Sequence, residues 1–171
     1  MGRIMTLLAV LAVFAVPAAL ADDQPTPQAQ QNAAQQCKAQ LKKMNTTDFR
    51  LLWGTNKNGK NAFGNCVALT TQQNQDNVQS AEEQCRAERA KDPTAFATKW
   101  GTNANGKNAF GKCVSQTAKA MAQEEQQETL NAAQQCKAER AKDPAAFRAN
   151  YGTNHNKRNA FARCVAKKKN G

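Results

Sequence analysis

After residue 21, all aromatic side chains and most of the large apolar ones are gathered into three short segments, and long polar stretches separate these segments. Within each segment two aromatic residues stand four positions apart, a spacing that places both on one face of a helix. These pairs are Phe49 and Trp53, Phe96 and Trp100, and Phe147 and Tyr151. A glycine directly follows each pair, as is typical of a helix end. The pattern therefore predicts a helix of about two turns in each segment.

A second helix is predicted after a polar turn in each segment. The turn has the sequence Thr-Asn-x-Asn, and asparagine tolerates left-handed backbone and bonds nearby amides. Phenylalanine, cysteine and valine then recur at positions i, i+3 and i+4, so we expect them to share the inner face of this helix. The triplets are Phe63, Cys66 and Val67; Phe110, Cys113 and Val114; and Phe161, Cys164 and Val165.

The three segments are copies of one repeat. The sequence G-T-N-x-N-x-[KR]-N-A-F occurs three times, with a cysteine before it and a cysteine after it in every copy. An incoming helix carries the first cysteine, one turn after an alanine (Ala33, Ala81 or Ala132). We divide the chain into a signal peptide (1–21), a disordered lead that becomes helical near Ala33 (22–36), repeat 1 (37–66), a connector (67–84), repeat 2 (85–113), a second connector (114–135), repeat 3 (136–165) and a basic tail (166–171).

Helix caps are predicted at the start of each short helix. Asp92-Pro93 and Asp143-Pro144 place a capping carboxylate before a proline at the first helical position. In repeat 1, Asp48 provides a looser version of the same cap.

The connectors are rich in Gln, Ala and Glu and contain neither Pro nor Gly. The connector 114–135 is predicted to be one unbroken helix, whereas 67–84, with Thr70-Thr71 and several Asn, could break or fray. Because neither shows a sustained apolar heptad, we interpret them as solvent-exposed spacers, with a coiled coil as the alternative. The expected fold is all-α, with three tandem disulfide-stapled helical repeats joined by long polar connectors.

The first 21 residues have the features of a secretory signal peptide. Arg3 precedes an apolar run from Ile4 to Leu20, and a small-residue cleavage site ends at Ala21. A transmembrane anchor is the alternative, but the run is short for one. We expect a protein that is secreted or associated with the cell envelope after cleavage near Ala21.

Six cysteines in an exported chain point to three disulfides. A zinc site is disfavoured because no closely spaced cysteine pair is present and His155 is the only imidazole. Closing a loop of this length contributes roughly 3–4 kcal/mol, which a unit of about 30 residues needs in order to fold. We predict pairing within repeats: Cys37 with Cys66, Cys85 with Cys113, and Cys136 with Cys164.

Composition limits the size of any core. Leu, Ile, Val and Phe are 15 of the 150 residues after position 21, below the roughly 20% under which charged chains are expected to be disordered. This excludes one large core, an ordinary α/β enzyme domain and a polytopic membrane protein. Since the aromatic residues and cysteines of these 150 positions all lie in the repeats, we expect three small cores.

Charge alternates along the chain. Repeat 1 carries six Lys and Arg against one acid, repeat 2 six against two, and residues 136–171 ten against two, while both connectors are acidic. Basic modules on acidic spacers suit multivalent contact with a polyanion: an anionic envelope polymer, an anionic membrane surface or extracellular nucleic acid. The simpler interpretation is a solvated surface that keeps the protein soluble. The candidate contacts are Lys57, Lys60, Lys107, Lys157, Arg158, Lys167, Lys168 and Lys169.

We find no pattern typical of catalysis or of cofactor binding. The Asn-x-Asn-Gly stretch has the outline of a calcium loop but lacks its carboxylates. Asp48, Asp92 and Asp143 stand at comparable places in the three repeats, where we interpret them as helix caps. No nucleophile–base pair or phosphate loop is present, so we expect no enzymatic activity, no cofactor, no metal and no small-molecule substrate.

The repeat resembles those of small exported proteins of actinobacterial type, through the motif D-P-x-A-F-x-x-x-[WY]-G-T-N-x-N-x-x-N-A-F-G-K-C-V. The resemblance implies export and a disulfide-held helical unit, and it carries no activity. Repeat 1 departs from the motif by lacking Asp-Pro, and repeat 3 has Ala162 where the others have Gly64 and Gly111. The function expected is contact rather than catalysis, with a cationic membrane-active protein of antimicrobial type as the alternative and an unrecognised enzyme as the weaker rival.

Overall fold

The computed structural model describes the backbone of residues 27–169 and the side chains of residues 32–169. The predicted signal peptide and residues 22–26 of the predicted lead lie outside this range. Within it the chain forms seven helices and no strand. They are α1 (Pro27–Lys43), α2 (Thr46–Trp53), α3 (Ala62–Lys91), α4 (Pro93–Trp100), α5 (Ala109–Lys142), α6 (Pro144–Tyr151) and α7 (Ala160–Lys169). The incoming helix that we expect near Ala33 begins already at Pro27.

Each repeat is a helical hairpin closed by a disulfide. A short helix and a loop join an incoming helix to an outgoing one, and the cysteines of each hairpin are bonded to one another. The predicted pairing is confirmed: Cys37–Cys66 and Cys85–Cys113 have Cα atoms 6.0 Å apart, and Cys136–Cys164 5.9 Å. All six cysteines are buried, so each disulfide is part of a core.

Two of the three predicted caps are confirmed and one is wrong. The Asp92 carboxylate accepts from the backbone N–H groups of Thr94 and Ala95, and Asp143 does the same in repeat 3. In repeat 1 the cap is Asn45, whose Oδ1 accepts from the Asp48 N–H at 2.8 Å. Asn45 stands four positions before Phe49, as Asp92 stands before Phe96, so Asp48 lies one turn too late to cap.

The connectors pack against each other and are not exposed spacers. Both lie within unbroken helices, and α3 packs against both α5 and α1. Asn77 is buried and donates from Nδ2 to Glu125 Oε2 at 3.2 Å across the α3–α5 contact. Most of the buried connector residues have small or β-branched side chains, which let the helices pack without a heptad of large residues. The buried connector residues are Thr70, Thr71, Asn77, Ala81, Ala118, Thr129, Leu130, Ala132 and Ala133.

Repeats 1 and 3 share one core, so the described chain has two cores and not the three that we expect from the sequence. Since α3 and α5 run antiparallel, they carry repeat 1 and repeat 3 to the same end of the molecule. There Phe49 and Phe147 belong to one apolar cluster, whereas Phe96 of repeat 2 belongs to a separate one. The 19 positions from Cys66 to Cys85 on α3 place the two ends about 30 Å apart.

The spacing of Phe, Cys and Val is the same in the three repeats, but the phenylalanine side chains are not equally buried. Phe161 is 2% exposed, Phe110 is half-buried and Phe63 is 37% exposed. The inner-face prediction is therefore wrong for Phe63. In repeat 3, α2 packs on α7 and Arg140 lies over the Phe161 ring, which accounts for the burial of Phe161.

Candidate polyanion-binding surface

The polar loop of each repeat is held by one asparagine. In repeat 1, Asn61 donates from Nδ2 to Thr55 Oγ1 at 2.6 Å, while its Oδ1 accepts from the backbone N–H groups of Thr55 and Asn56. Asn108 and Asn159 make the same bond to Thr102 and Thr153, at 2.6 and 2.7 Å. The cations on these loops are therefore presented from a fixed backbone.

A left-handed residue turns each loop. Gly59 and Gly106 have φ values of 65° and 62°, and Lys157 occupies the equivalent position with φ 54°. The Lys157 ammonium donates to the Gly152 carbonyl at 2.9 Å. Lys157 thus stabilises its own loop, which makes it a weaker anion contact than a free lysine.

The predicted contacts fall into two groups. Four of them are exposed on the loops with no ion pair within the described chain: Lys57, Lys60, Lys107 and Arg158. In the tail, Lys167 lies 5.9 Å above the Tyr151 ring, and Lys168 lies 3.5 Å from Glu139. Lys169 is half-buried at the end of α7. Lys167 and Lys168 thus contact repeat 3 while remaining exposed.

The fold brings the repeat 1 and repeat 3 contacts to one end and leaves Lys107 at the other. Asp48 joins repeats 1 and 3 directly, because its carboxylate accepts from Arg140 Nη2 at 2.6 Å and lies 3.9 Å from Lys137 Nζ. We call the surface formed by repeats 1 and 3 and residues 166–169 the basic end.

The carboxylates at the basic end are all engaged within the protein. The end holds sixteen Lys and Arg and only three acids. Asp48 is 2% exposed and bound to Arg140, Asp143 caps α6, and Glu139 accepts from Tyr151. Because these three acids serve internal contacts, most of the cations face solvent without an opposing charge.

A cleft in repeat 3 adds a cation pair that sequence analysis missed. It has a volume of 320 Å³, and Arg163 and Lys167 stand one turn apart on its α7 wall. Asn150, Tyr151 and Thr153 line the opposite side. Two cations beside hydroxyl and amide donors can together hold one anionic group. The i, i+4 spacing of Arg163 and Lys167 is the sequence feature that could have predicted this cation pair.

Other exposed cations at the basic end were also missed, because they lie on helices and not beside the loops. Only the pairing of repeats 1 and 3 places them on a common surface. They are Lys38, Lys42, Lys43, Arg50, Lys137, Lys142 and Arg148.

One acceptor position links each short helix to the incoming helix. Gln40 and Glu88 each accept from a tryptophan indole N–H at 3.1 Å, and Glu139 accepts from the Tyr151 hydroxyl at 3.1 Å. Hydrogen bonds from Lys99 and then Trp100 lower the pKa of Glu88 below 4.5. The hydrogen bond to Glu139, with burial, raises the pKa of Tyr151 above 10.0. These three hydrogen bonds tie each short helix to the core of its repeat.

Along residues 27–169 no helix combines the length and apolarity needed to cross a membrane. Over the same range, no three His, Cys, Asp or Glu side chains converge where they could hold a metal ion.

The chain matches no model of a known protein family, and neither the curated proteins nor the solved structures contain a significant match. Its three disulfides indicate an oxidising compartment of extracellular type.

Proposed function

We propose that the protein is exported and acts without catalysis, as an interaction protein whose basic end contacts an anionic polymer of the cell envelope or of the extracellular medium. The observation that carries this proposal is the charge balance of the basic end. Sixteen cations lie there with three carboxylates, and each carboxylate is already held by a cation, a backbone cap or a tyrosine. An anionic polymer would supply the missing counter-charge at many points at once.

The signal-peptide pattern of residues 1–21 supports export. The buried disulfides support it independently, because they form in an oxidising compartment. The connectors pack together in the α3–α5 pair and form a rigid rod, with repeats 1 and 3 at one end and repeat 2 at the other. Such a rod presents repeats 1 and 3 together, so a polymer segment can contact several cations without ordering a flexible chain.

The small amount of exposed apolar surface favours contact with a polymer over insertion into a membrane. Among the described residues, the large hydrophobic side chains that are exposed are Phe63, Leu69 and Val78. A membrane-active helix needs a broad apolar face opposite its cations, and three scattered side chains on α3 do not form one.

The test is the salt dependence of binding, measured by fluorescence anisotropy with a labelled single-stranded oligonucleotide and with labelled heparin as probes. Contact with three or more anionic groups predicts a log–log slope of about −2 or steeper for the single strand. We expect affinity to fall more than about tenfold between 50 and 200 mM salt. Absence of saturable binding to both probes at the lower salt would contradict the proposal.

Leakage of dye from anionic vesicles distinguishes polymer binding from the alternative, a cationic membrane-active protein. We expect vesicles of anionic and zwitterionic lipid to bind the protein without releasing their dye. Dye release at low protein excess would favour the membrane-active function.

A further inference from the structure

Repeat 3 holds repeat 1 through a defined face. The Arg140 guanidinium lies 5.0 Å above the Phe161 ring and donates to Asp48 in the first turn of α2. Phe161 and Val165 are each 2% exposed in the shared core. Two leucines of α2, Leu51 and Leu52, pack against the same core. This face therefore receives a short helix that carries a carboxylate in its first turn and an apolar pair one turn later.

Repeat 2 has the same face. Arg89 stands four positions after Cys85, as Arg140 does after Cys136, and its guanidinium lies 4.9 Å above the Phe110 ring. Val114 is the equivalent of Val165. The cation, the aromatic ring and the valine that receive α2 in repeat 3 are thus all present in repeat 2.

In repeat 2 this face is open. Phe110 and Val114 are half-buried, and Arg89 is exposed. Within the described chain Arg89 has no carboxylate partner, whereas its neighbour Arg86 pairs with Glu82 at 3.1 Å. The short helix of repeat 2, α4, lacks the apolar pair of α2, because Thr98 and Lys99 replace the two leucines.

A groove lies beside this open face. Its volume is 1410 Å³, and its walls come from α1, α3 and α5. Its lining includes Phe110, Val114 and Val78, many amide side chains, and the carboxylates of Asp76 and Glu82. An eight-residue helix, about 12 Å long and 10 Å across, occupies about 1000 Å³. The groove therefore has enough volume for a helix of the length of α2.

We propose that the face formed by Arg89, Phe110 and Val114 is a docking site for a partner protein's short helix, one that carries a carboxylate in its first turn and an adjacent pair of leucines. Arg89 binds the carboxylate, and the leucines cover Phe110 and Val114, as Asp48 and the leucines of α2 do on repeat 3. The protein then contacts a polymer at its basic end and a protein partner at repeat 2.

A second copy of this chain does not supply the helix. Among the seven described helices, α2 alone has a carboxylate in its first turn. In every copy that helix is already bound to repeat 3 through Asp48 and Arg140. Because the described residues offer no free helix of this kind, we assign the site to a helix of a different protein with the chemistry of α2.

The probe for the test is a helix-stapled synthetic peptide with the sequence of residues 45–54. It is titrated into the full oxidised chain, and amide chemical shifts are followed by NMR. We expect saturable shifts around Phe110 and Val114, and a peptide with Asn in place of Asp48 should bind about fivefold more weakly. The variant Arg89→Ala should weaken binding by a similar factor, whereas the control Lys91→Ala, exposed on the same helix, should not.

A second variant tests the groove without touching the core. Ser115 is exposed on the groove wall, so Ser115→Trp should block the peptide while the fold is retained. The proposal is overturned by an absence of saturable shifts up to about 1 mM peptide, by equal affinity of Arg89→Ala and wild type, or by shifts confined to repeats 1 and 3. Shifts at Phe110 and Val114 that depend on protein concentration without peptide would assign the face to a second copy, and would also overturn it.

Discussion

The phenylalanine that opens the outgoing helix of each repeat has the same local sequence three times and three different surroundings. Phe161 is covered by α2 and Arg140, Phe110 faces the groove beneath Arg89, and Phe63 is 37% exposed. Local spacing placed all three side chains on one helical face, but the neighbouring element determines how much of each is buried. The same residue therefore contributes differently to stability in the three repeats.

Alanine substitution at the three positions provides a matched series. We expect Phe161→Ala to cost about 3–5 kcal/mol, because it opens a cavity in the shared core. Phe63→Ala should cost less than about 1 kcal/mol, since that ring is partly in solvent. Phe110→Ala should fall between them and loosen repeat 2 more than its neighbours. Denaturant titration measures the three values, and equal losses for Phe63 and Phe161 would contradict the assigned burial.

The acceptor that holds the ring of the short helix differs in ionisation between repeats. Glu88 in repeat 2 has a pKa lowered by its hydrogen bonds from Lys99 and Trp100, whereas Gln40 in repeat 1 does not titrate. A carboxyl whose pKa is lowered on folding contributes stability above its unfolded pKa of 4.5 and loses that contribution as the pH falls through its folded pKa.

Repeat 2 should therefore loosen on acidification through and below pH 4.5. Trp100 fluorescence reports this change in a chain with Trp53→Phe. In the same background, Glu88→Gln should remove the acid step, as the neutral amide keeps an acceptor. An unchanged acid transition in Glu88→Gln would show that other carboxyls cause it.

At the scale of elements, the local parts of the fold were predictable and the long-range packing was not. The short helices, the Asp-Pro caps and the disulfide pairing follow from spacing within one repeat. The α3–α5 contact was missed because the buried connector residues are mostly alanine and threonine and form no leucine heptad. Thr70, Thr71 and Asn77 are weak helix formers, yet tertiary packing keeps α3 unbroken.

The two cores predict unequal effects of disulfide removal. Closing a loop of about 28 residues contributes roughly 3–4 kcal/mol. Replacing Cys85 and Cys113 together by Ala should raise amide hydrogen exchange in repeat 2 while repeats 1 and 3 stay protected. The matched replacement of Cys136 and Cys164 should raise exchange in repeat 3 and also in repeat 1. Protection of repeat 1 that survives the second replacement would indicate three independent cores.

At the scale of the whole molecule, repeats 1 and 3 form one basic end, and repeat 2 stands alone about 30 Å away. The pairing of repeats 1 and 3 depends on residues that repeat 1 does not share with the others: Asp48, Leu51 and Leu52. These three departures from the repeat are the sequence features that mark the pairing. The contact itself was not predictable, because Asp48 and Arg140 are 92 positions apart and no local pattern connects them. The loop cations were predictable from sequence, and the helix cations that join them on one surface were not.

The most direct test of the account compares the two ends with equal changes in charge. Arg163→Gln with Lys167→Gln removes two charges at the cleft of the basic end, and Lys107→Gln with Lys112→Gln removes two exposed charges from repeat 2. Binding of a labelled single-stranded oligonucleotide is measured for both variants as a function of salt. We expect the first pair to make the log–log slope shallower by about 1.4 and to lower affinity about tenfold, while the second pair changes both far less. Equal losses for the two pairs would contradict a polymer contact located at the basic end.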